Sequence, residues 1–455
     1  MLVSAAPFFV FLSAVCLLYW AVARSRRMQL VVLVVANLFF LARFSLIYLA
    51  LPLAAGADFF VGLGLGSAKK PAVRRLLLLI SLAINLGLLV GLKLTPLLTA
   101  GRFAWLFTLS LSFYCFQSLT YTIDLYLGEI QPTRSCLEYL ASALFFPSMT
   151  AGPIPRQGKL LDQLSKPFAL SAEDGGRALL LIGVGLVKKL LIADSLANNL
   201  VGRVFDTPAL YSSVETLAGV YAYALQLFFD FSGYTDIAMG AALLLGIRLP
   251  ENFRRPYLAV NVAEFWRRWH ITFSEWLRDY VFDFLPKRRK HPRLSYSYAF
   301  LITFTLGGLW HGISWTFLIW GVLHGLALGV VFAWKLWRKV PSPFWWAKLL
   351  GGLATFHFVC FTWIFFRASS IDNALAVLRS LGSMTWSTEN LTALVLGVMV
   401  LAAVIHCFPS NWFETSAGVV ADLPFWVQGL AMAALILMIQ TLAGRGSAPF
   451  VYGNF

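Results

Sequence analysis

Eleven stretches of this chain are apolar over about the 20 residues that a helix needs to cross a bilayer, and short basic segments punctuate them. They run at residues 2–23, 28–46, 47–66, 76–98, 103–127, 179–200, 216–249, 294–334, 349–366, 391–408 and 423–442. Little choice of fold remains. With 59% hydrophobic and only 13% charged residues, a soluble fold of this length would leave much of its Phe, Leu and Trp in water. The bulk solvent is therefore lipid. The chain is expected to be an all-α polytopic membrane protein, one integral domain over residues 1–455 that crosses the bilayer roughly ten to fourteen times.

The formal net charge of +15 does not form a continuous basic face of the kind that binds nucleic acid, and no nucleic-acid partner is expected. The cations stand between apolar runs. Arg24, Arg26 and Arg27 follow the first run, Lys69, Lys70, Arg74 and Arg75 precede the fourth, and Lys335, Arg338 and Lys339 follow the run ending at Trp334. By the positive-inside rule these loops are cytoplasmic, which puts both termini outside. The first run has no basic residues before it and no small-residue cleavage site after it, so it reads as a retained helix. Cys16, Cys115, Cys136, Cys360 and Cys407 form no C-x-x-C pair and no metal spacing, and read as small apolar packers.

Two regions depart from plain spanning helices. The run 294–334 is too long for one crossing and carries Gly307, Gly308 and Gly312, which predicts two helices joined by a tight turn. Residues 248–293 hold eleven Lys/Arg and five Asp/Glu, a net of +6. Asn261 and Glu264 resemble a capping box, and Phe265, Trp269, Phe273, Trp276, Tyr280 and Phe284 recur at three and four residues. The pattern predicts a basic amphipathic helix along the cytoplasmic face or plugging a funnel that opens to it. No internal repeat is visible, although many secondary transporters are built from repeated halves.

Histidines and acids inside the apolar runs are the candidates for chemistry. His311 lies in G-G-L-W-H-G-I-S-W with no charge near it in sequence, and a neutral buried imidazole is the form a general base needs. A structural histidine bonded to a neighbouring carbonyl is the alternative. His270, in F-W-R-R-W-H-I-T-F-S, is placed near the apolar edge of the amphipathic segment. His324 is expected to bond between helices, His357 and His406 to pack or to make a single backbone hydrogen bond, and His291 to lie in a solvated loop. Asp230 and Asp236 sit inside an apolar run, either on a cation or proton path or as structural acids where a helix is broken. The tail 444–455 ends in A-P-F-V-Y-G-N-F and is expected to be buried.

Taken together, F-F-P-S-M-T-A-G-P-I-P-R (145–156), Q-L-F-F-D-F-S-G-Y-T-D-I-A-M-G (226–240), R-L-P-E-N-F-R-R-P-Y (248–257), F-W-R-R-W-H-I-T-F-S-E-W-L-R-D-Y (265–280), G-G-L-W-H-G (307–312) and W-I-F-F-R-A (363–368) carry a resemblance. The chain resembles the membrane-bound O-acyltransferases, most closely their bacterial alginate O-acetyltransferase branch, over nearly all its length beyond the first hundred residues. The resemblance implies a ring of transmembrane helices, with re-entrant and interfacial helices, around a central catalytic funnel. It implies that His311 is the catalytic histidine and that His270 fills the second polar position. The terminal F-V-Y-G-N-F resembles an F-I-Y-x-x-F ending of some acyltransferases of the branch, with Val451 in place of Ile.

The expected activity is transfer of an acyl group, in first place acetyl, from a cytoplasmic thioester such as acetyl-CoA toward an extracytoplasmic polysaccharide in the bacterial inner membrane. His311 is assigned as base, His270 as donor or orienting group, and Arg267, Arg268 and Arg278 as donor-binding cations. Tyr452 is a candidate acyl relay, with anchoring of the tail as the alternative. No metal and no tightly bound cofactor are expected, and a lipase-like (SGNH) extracytoplasmic acetyltransferase is the expected partner. D-alanyl transfer to a cell-wall polymer from an acyl carrier protein and an ion-coupled transporter or flippase are the rival readings.

Overall fold

The computed structural model describes residues 5–43, 46–98, 110–149, 151–287, 291–338 and 344–442. Tyr452, the tail 444–455, Lys339 and residues 288–290 of the basic segment lie outside them. Among the described residues there is no strand. Five long helices come first: α1 (Ala6–Ala21), α2 (Arg26–Ala42), α3 (Ala50–Ser67), α4 (Pro71–Leu98) and α5 (Ser110–Leu127). Three short ones follow, α6 (Cys136–Ala143), α7 (Phe146–Met149) and α8 (Gln157–Leu164).

Next, α9 (Ala172–Leu186) continues through π-helical turns at Val187–Ala193 and Ala197–Val201, with α10 (Asp194–Leu196) between them and α11 (Gly202–Asp206) after them. The 32-residue α12 (Ser213–Leu244) is the central mast, packed against α9, α17, α18 and α19. It starts on a complete capping box. Ser212 accepts from the Glu215 amide and Glu215 accepts from the Ser212 amide, at 3.3 and 2.9 Å. The basic segment then supplies α13 (Val262–Trp266), α14 (Ile271–Leu277) and a π turn at Arg278–Phe282. The remaining helices are α15 (Pro292–His311), α16 (Trp315–Arg338), α17 (Trp345–Arg367), α18 (Ile371–Gly382), α19 (Ala393–Cys407), α20 (Ser410–Asp422) and α21 (Phe425–Leu442). The 294–334 run is thus the expected helical pair, turning at residues 312–314.

By length and apolarity alone, four described helices qualify as crossings: α3, Pro71–Gly91 of α4, Trp315–Trp337 of α16, and α17. Helix α19 with Asn411–Asp422 qualifies as a pair bent by 91°. That is fewer than the ten to fourteen read from the apolar runs, partly because apolar helices such as Ala6–Ala21 and Phe425–Leu437 are shorter than a full crossing among the described residues, and partly because enclosed helices carry polar groups. Helix α12 buries Gln226, Asp230 and Thr235 within its length, and the run at 179–200 is cut into α and π pieces.

Hydrogen bonds show which helix ends share a face. Arg74 donates to the carbonyls of Leu65, Leu125 and Tyr126 at 2.5, 2.9 and 2.8 Å, tying the start of α4 to the ends of α3 and α5. Trp20 Nε1 donates to the Leu244 carbonyl at 3.0 Å, and Gln163 and Asp174 hold Arg248. These ends adjoin the basic loops. Elsewhere, Ser213 donates to the Ser380 carbonyl at 2.9 Å and Glu215 accepts from the Asn390 amide at 2.9 Å, tying the start of α12 to the loop after α18. All five cysteines are free thiols.

Candidate active site

His311 is the last residue of α15 and is buried. Helices α15 and α16 touch backbone to backbone because glycines face each other: a Cβ on Gly308 would stand 2.3 Å from the Phe317 carbonyl, and one on Gly321 2.4 Å from that of Phe304. This contact draws the aromatic side chains of α16 around the imidazole. Ring centroids of Trp310, Phe366, Trp320, Phe317 and Phe273 lie 4.5, 4.9, 5.2, 6.0 and 6.2 Å from it.

His270 is not inside a helix. It caps α14 in the left-handed region, φ 42°, and the amphipathic helix expected through Phe265 to Phe284 is broken there into α13, α14 and the π turn. The cause is a distant residue pair. Arg254 N–H donates to the Arg268 carbonyl at 2.8 Å and Ile271 N–H to that of Asn252 at 2.9 Å, while Thr272 donates through both its amide and its hydroxyl to Asn252 Oδ1. The same Oδ1 faces His270 Nδ1 at 3.2 Å. It already accepts, so Nδ1 carries the proton and the lone pair falls on Nε2. Burial pushes the His270 imidazole down from its ordinary value to about 3, which keeps it neutral.

The aromatic residues of the segment point inward: Phe265, Trp266, Trp269, Phe273, Trp276 and Leu277 are buried, so this part belongs to the core. Phe273 and Trp310, 4.4 Å apart, each touch both imidazoles, His270 at 5.0 and 6.5 Å and His311 at 6.2 and 4.5 Å. The fold therefore brings together two histidines that are far apart in sequence. Asn252 and Thr272 were not singled out in the sequence, although Asn252 lies in R-L-P-E-N-F and Thr272 follows His270 by two positions.

From this pair, rings lead toward a cavity of about 790 Å³ at the basic-loop face, next to the end of α5. The order is Trp310, Phe116, Trp276 and Tyr280, with centroids 5.3, 4.4 and 5.3 Å apart. Arg278 lines the cavity but is engaged by Asp279, which also binds Arg156. Arg267 is exposed, Arg268 pairs with Glu264, and neither lines the cavity. Arg156 and Lys159 do line it, yet Asp124, Glu129, Asp162, Glu275, Asp279 and Asp283 outnumber the cations. Among the described residues this opening thus carries no excess positive charge to draw phosphates.

The other histidines are structural in their contacts. Trp266 Nε1 donates to His324 Nδ1 at 3.1 Å, so the proton sits on Nε2, 3.0 Å from the Thr362 hydroxyl of α17. His406 accepts from the Tyr257 amide at 3.2 Å. His357 meets the Leu353 carbonyl and the Tyr221 hydroxyl, each at 2.8 Å, and His291 is exposed before α15. Asp236 is held by Lys188 at 2.6 Å and Asp230 by Lys189 at 2.8 Å, on the π turn after α9. Among the described residues no group of three His, Cys, Asp or Glu could hold a metal ion.

Comparison with known proteins places the chain in a family. The family model described as MBOAT, membrane-bound O-acyltransferase family, matches residues 129–371, a span that contains both histidines and the Phe273 and Trp310 rings they share. The chain is 34% identical to the peptidoglycan O-acetyltransferase of Helicobacter pylori, over 77% of this chain and 73% of that one. It is 32% identical to the "Probable alginate O-acetylase AlgI" of Pseudomonas putida, over 98% of each. It is 30% identical to the teichoic acid D-alanyltransferase of Bacillus subtilis, over 57% of this chain and 68% of that one. With a buried histidine pair, an all-helical multi-pass membrane fold and relatives matched along the chain, this protein belongs to the membrane-bound O-acyltransferase family and is an O-acyltransferase.

Proposed function

We propose that the protein moves an acetyl group from a thioester on the basic-loop face, acetyl-CoA being the simplest donor, to a hydroxyl of an extracytoplasmic polysaccharide. The observation that carries this reading is the pair of imidazoles sharing Phe273 and Trp310 at the inner end of the ring column. The hydroxyl oxygen attacks the thioester carbonyl, His311 takes the hydroxyl proton, the C–S bond breaks, and the proton passes to the departing thiolate. His270, fixed by Asn252, orients the reacting groups. The neutral pantetheine arm suits an opening whose carboxylates outnumber its cations, and the phosphates stay outside it.

Two relatives named for acetylation of glycans, one matched from end to end, favour acetyl over D-alanyl. The basic loops face the cytoplasm of a bacterial inner membrane, both termini lie outside, and a lipase-like transferase there completes the modification. Proteoliposomes holding the full chain, given acetyl-labelled thioester on one side and glycan oligomers on the other, test this. Transfer of label is expected. A folded protein that never consumes thioester would sink the reading.

In a relayed form of this transfer the Tyr452 phenol is the hydroxyl that attacks the thioester, its proton passing through His311 to the thiolate, and the polysaccharide hydroxyl then attacks the phenyl ester and returns its proton to the departing phenolate. A phenol with a pKa near about 10 is a weak nucleophile at neutral pH and needs an adjacent base, which a neutral imidazole provides. Tyr452→Phe keeps the ring and deletes the hydroxyl. Polymer acetylation should fall by about a hundredfold or more with the fold intact, whereas full acetylation by the variant would leave the tail as an anchor.

A further inference from the structure

At the middle of α3, Asp58 is fully buried and touches neither histidine of the pair. Its carboxylate accepts from the Ser81 hydroxyl at 2.7 Å, the Asn85 amide at 2.8 Å and the Ser118 hydroxyl at 2.6 Å, from α4 and α5. Ser81 is also 2.9 Å from the Thr122 hydroxyl. All these partners are neutral, and Asp58 makes no ion pair with a described residue. A buried charge is ordinarily paired with its opposite or bound to a metal ion, and the penalty for leaving it unpaired is greatest in a membrane span.

A further oxygen stands ready beside the carboxylate. Asn85 Oδ1 is buried and has no hydrogen-bond partner among the described residues. We propose that this cage binds one small monovalent cation, of the size of sodium. Its ligands are the Asp58 carboxylate, the hydroxyls of Ser81, Ser118 and Thr122, and the Asn85 amide oxygen. Binding turns the hydroxyl lone pairs inward and rotates the Asn85 amide, whose oxygen and nitrogen are nearly equal in shape, so that Oδ1 replaces Nδ2 beside the carboxylate. One carboxylate balances one monovalent charge. A divalent ion would be left half neutralised.

The cage stands behind the catalytic pair. Helix α5 presents Ser118 to Asp58 and Thr122 to Ser81, while Phe113 and Phe116 of the same helix touch His270 and Trp310, at 6.3 and 5.3 Å. A bound cation would therefore brace the helix against which the histidine packs.

Purified full-length protein, titrated with sodium chloride against choline chloride at constant ionic strength, tests the site through its melting temperature. Sodium should give a saturable rise in Tm of about 3 °C or more, and choline none. Asp58→Asn, which keeps the shape and removes the charge, should lose the sodium response, and Ser81→Ala should shift the titration to higher concentration. Equal Tm values in sodium and choline would overturn the proposal and leave Asp58 as a protonated acid. So would a sodium rise of the same size in Asp58→Asn. If that variant does not fold, the wild-type comparison of sodium with choline still decides.

Discussion

His311→Ala is expected to lower acyl transfer by at least about a thousandfold while the protein stays folded. A general base contributes about 10² to 10⁴ in rate, and in the proposed mechanism the same group also returns the proton to the leaving thiolate, so both halves of that reaction would lose their proton carrier. The structural cost is smaller. Trp310, Trp320 and Phe366 enclose the imidazole and hold one another in place, and Trp320 stacks on Trp363 at 5.9 Å, so the cage persists without it. Truncating one buried side chain in such a setting costs about 2–5 kcal/mol, a few degrees of Tm in a fold of this size. His270→Ala should impair turnover less, because in the proposed mechanism that ring orients rather than carries the proton, and Asn252→Ala should resemble it by freeing the imidazole. Turnover and Tm measured on the same preparations check all three. A folded His311→Ala variant with wild-type turnover would remove the histidine from the mechanism.

His311 was legible in the sequence because an ionisable group with no charged neighbour in an apolar run has few bland explanations. The helical pair at 294–334 was legible for a similar reason, since glycines at 307, 308 and 312 interrupt a run too long for one crossing. The setting of His270 was not. Phe265, Trp269, Phe273, Trp276 and Tyr280 keep helical spacing across the break. The left-handed turn between them is imposed by Asn252, 18 residues upstream, whose role appears only once residues 252–254 lie beside 268–272. Local periodicity cannot record a bond of that kind. The placement of charge within 248–293 was not legible either: Arg268 and Arg278 pair with Glu264 and Asp279, which net charge counts but does not place. Asp58, a lone acid in the run 47–66, drew no notice because its cage comes from α4 and α5 and exists only after folding.

The acids of the 226–240 motif lead to the second large effect. Lys189 Nζ stands 2.8 Å from both Asp194 and Asp230, and all three are buried. Lys188, the next residue, reaches Asp236, which lies six positions, about 9 Å, along α12 from Asp230. Neighbouring residues on a regular α-helix point in directions about 100° apart, and the π turn at Val187–Ala193 widens the backbone where both lysines meet α12. Lys189→Met leaves two buried carboxylates facing each other without their cation, a change that typically costs about 3–5 kcal/mol. A fall in Tm of roughly 3–5 °C is expected, with activity lost only in proportion to the unfolded fraction. Lys188→Met, at a half-buried pair, should cost less. Replacing Lys189, Asp194 and Asp230 together by Met, Leu and Leu removes every charge of the cluster and should restore much of the stability. If that charge-free variant is well folded but inactive, the cluster carries a proton or an ion for the reaction and does more than brace α9 against α12.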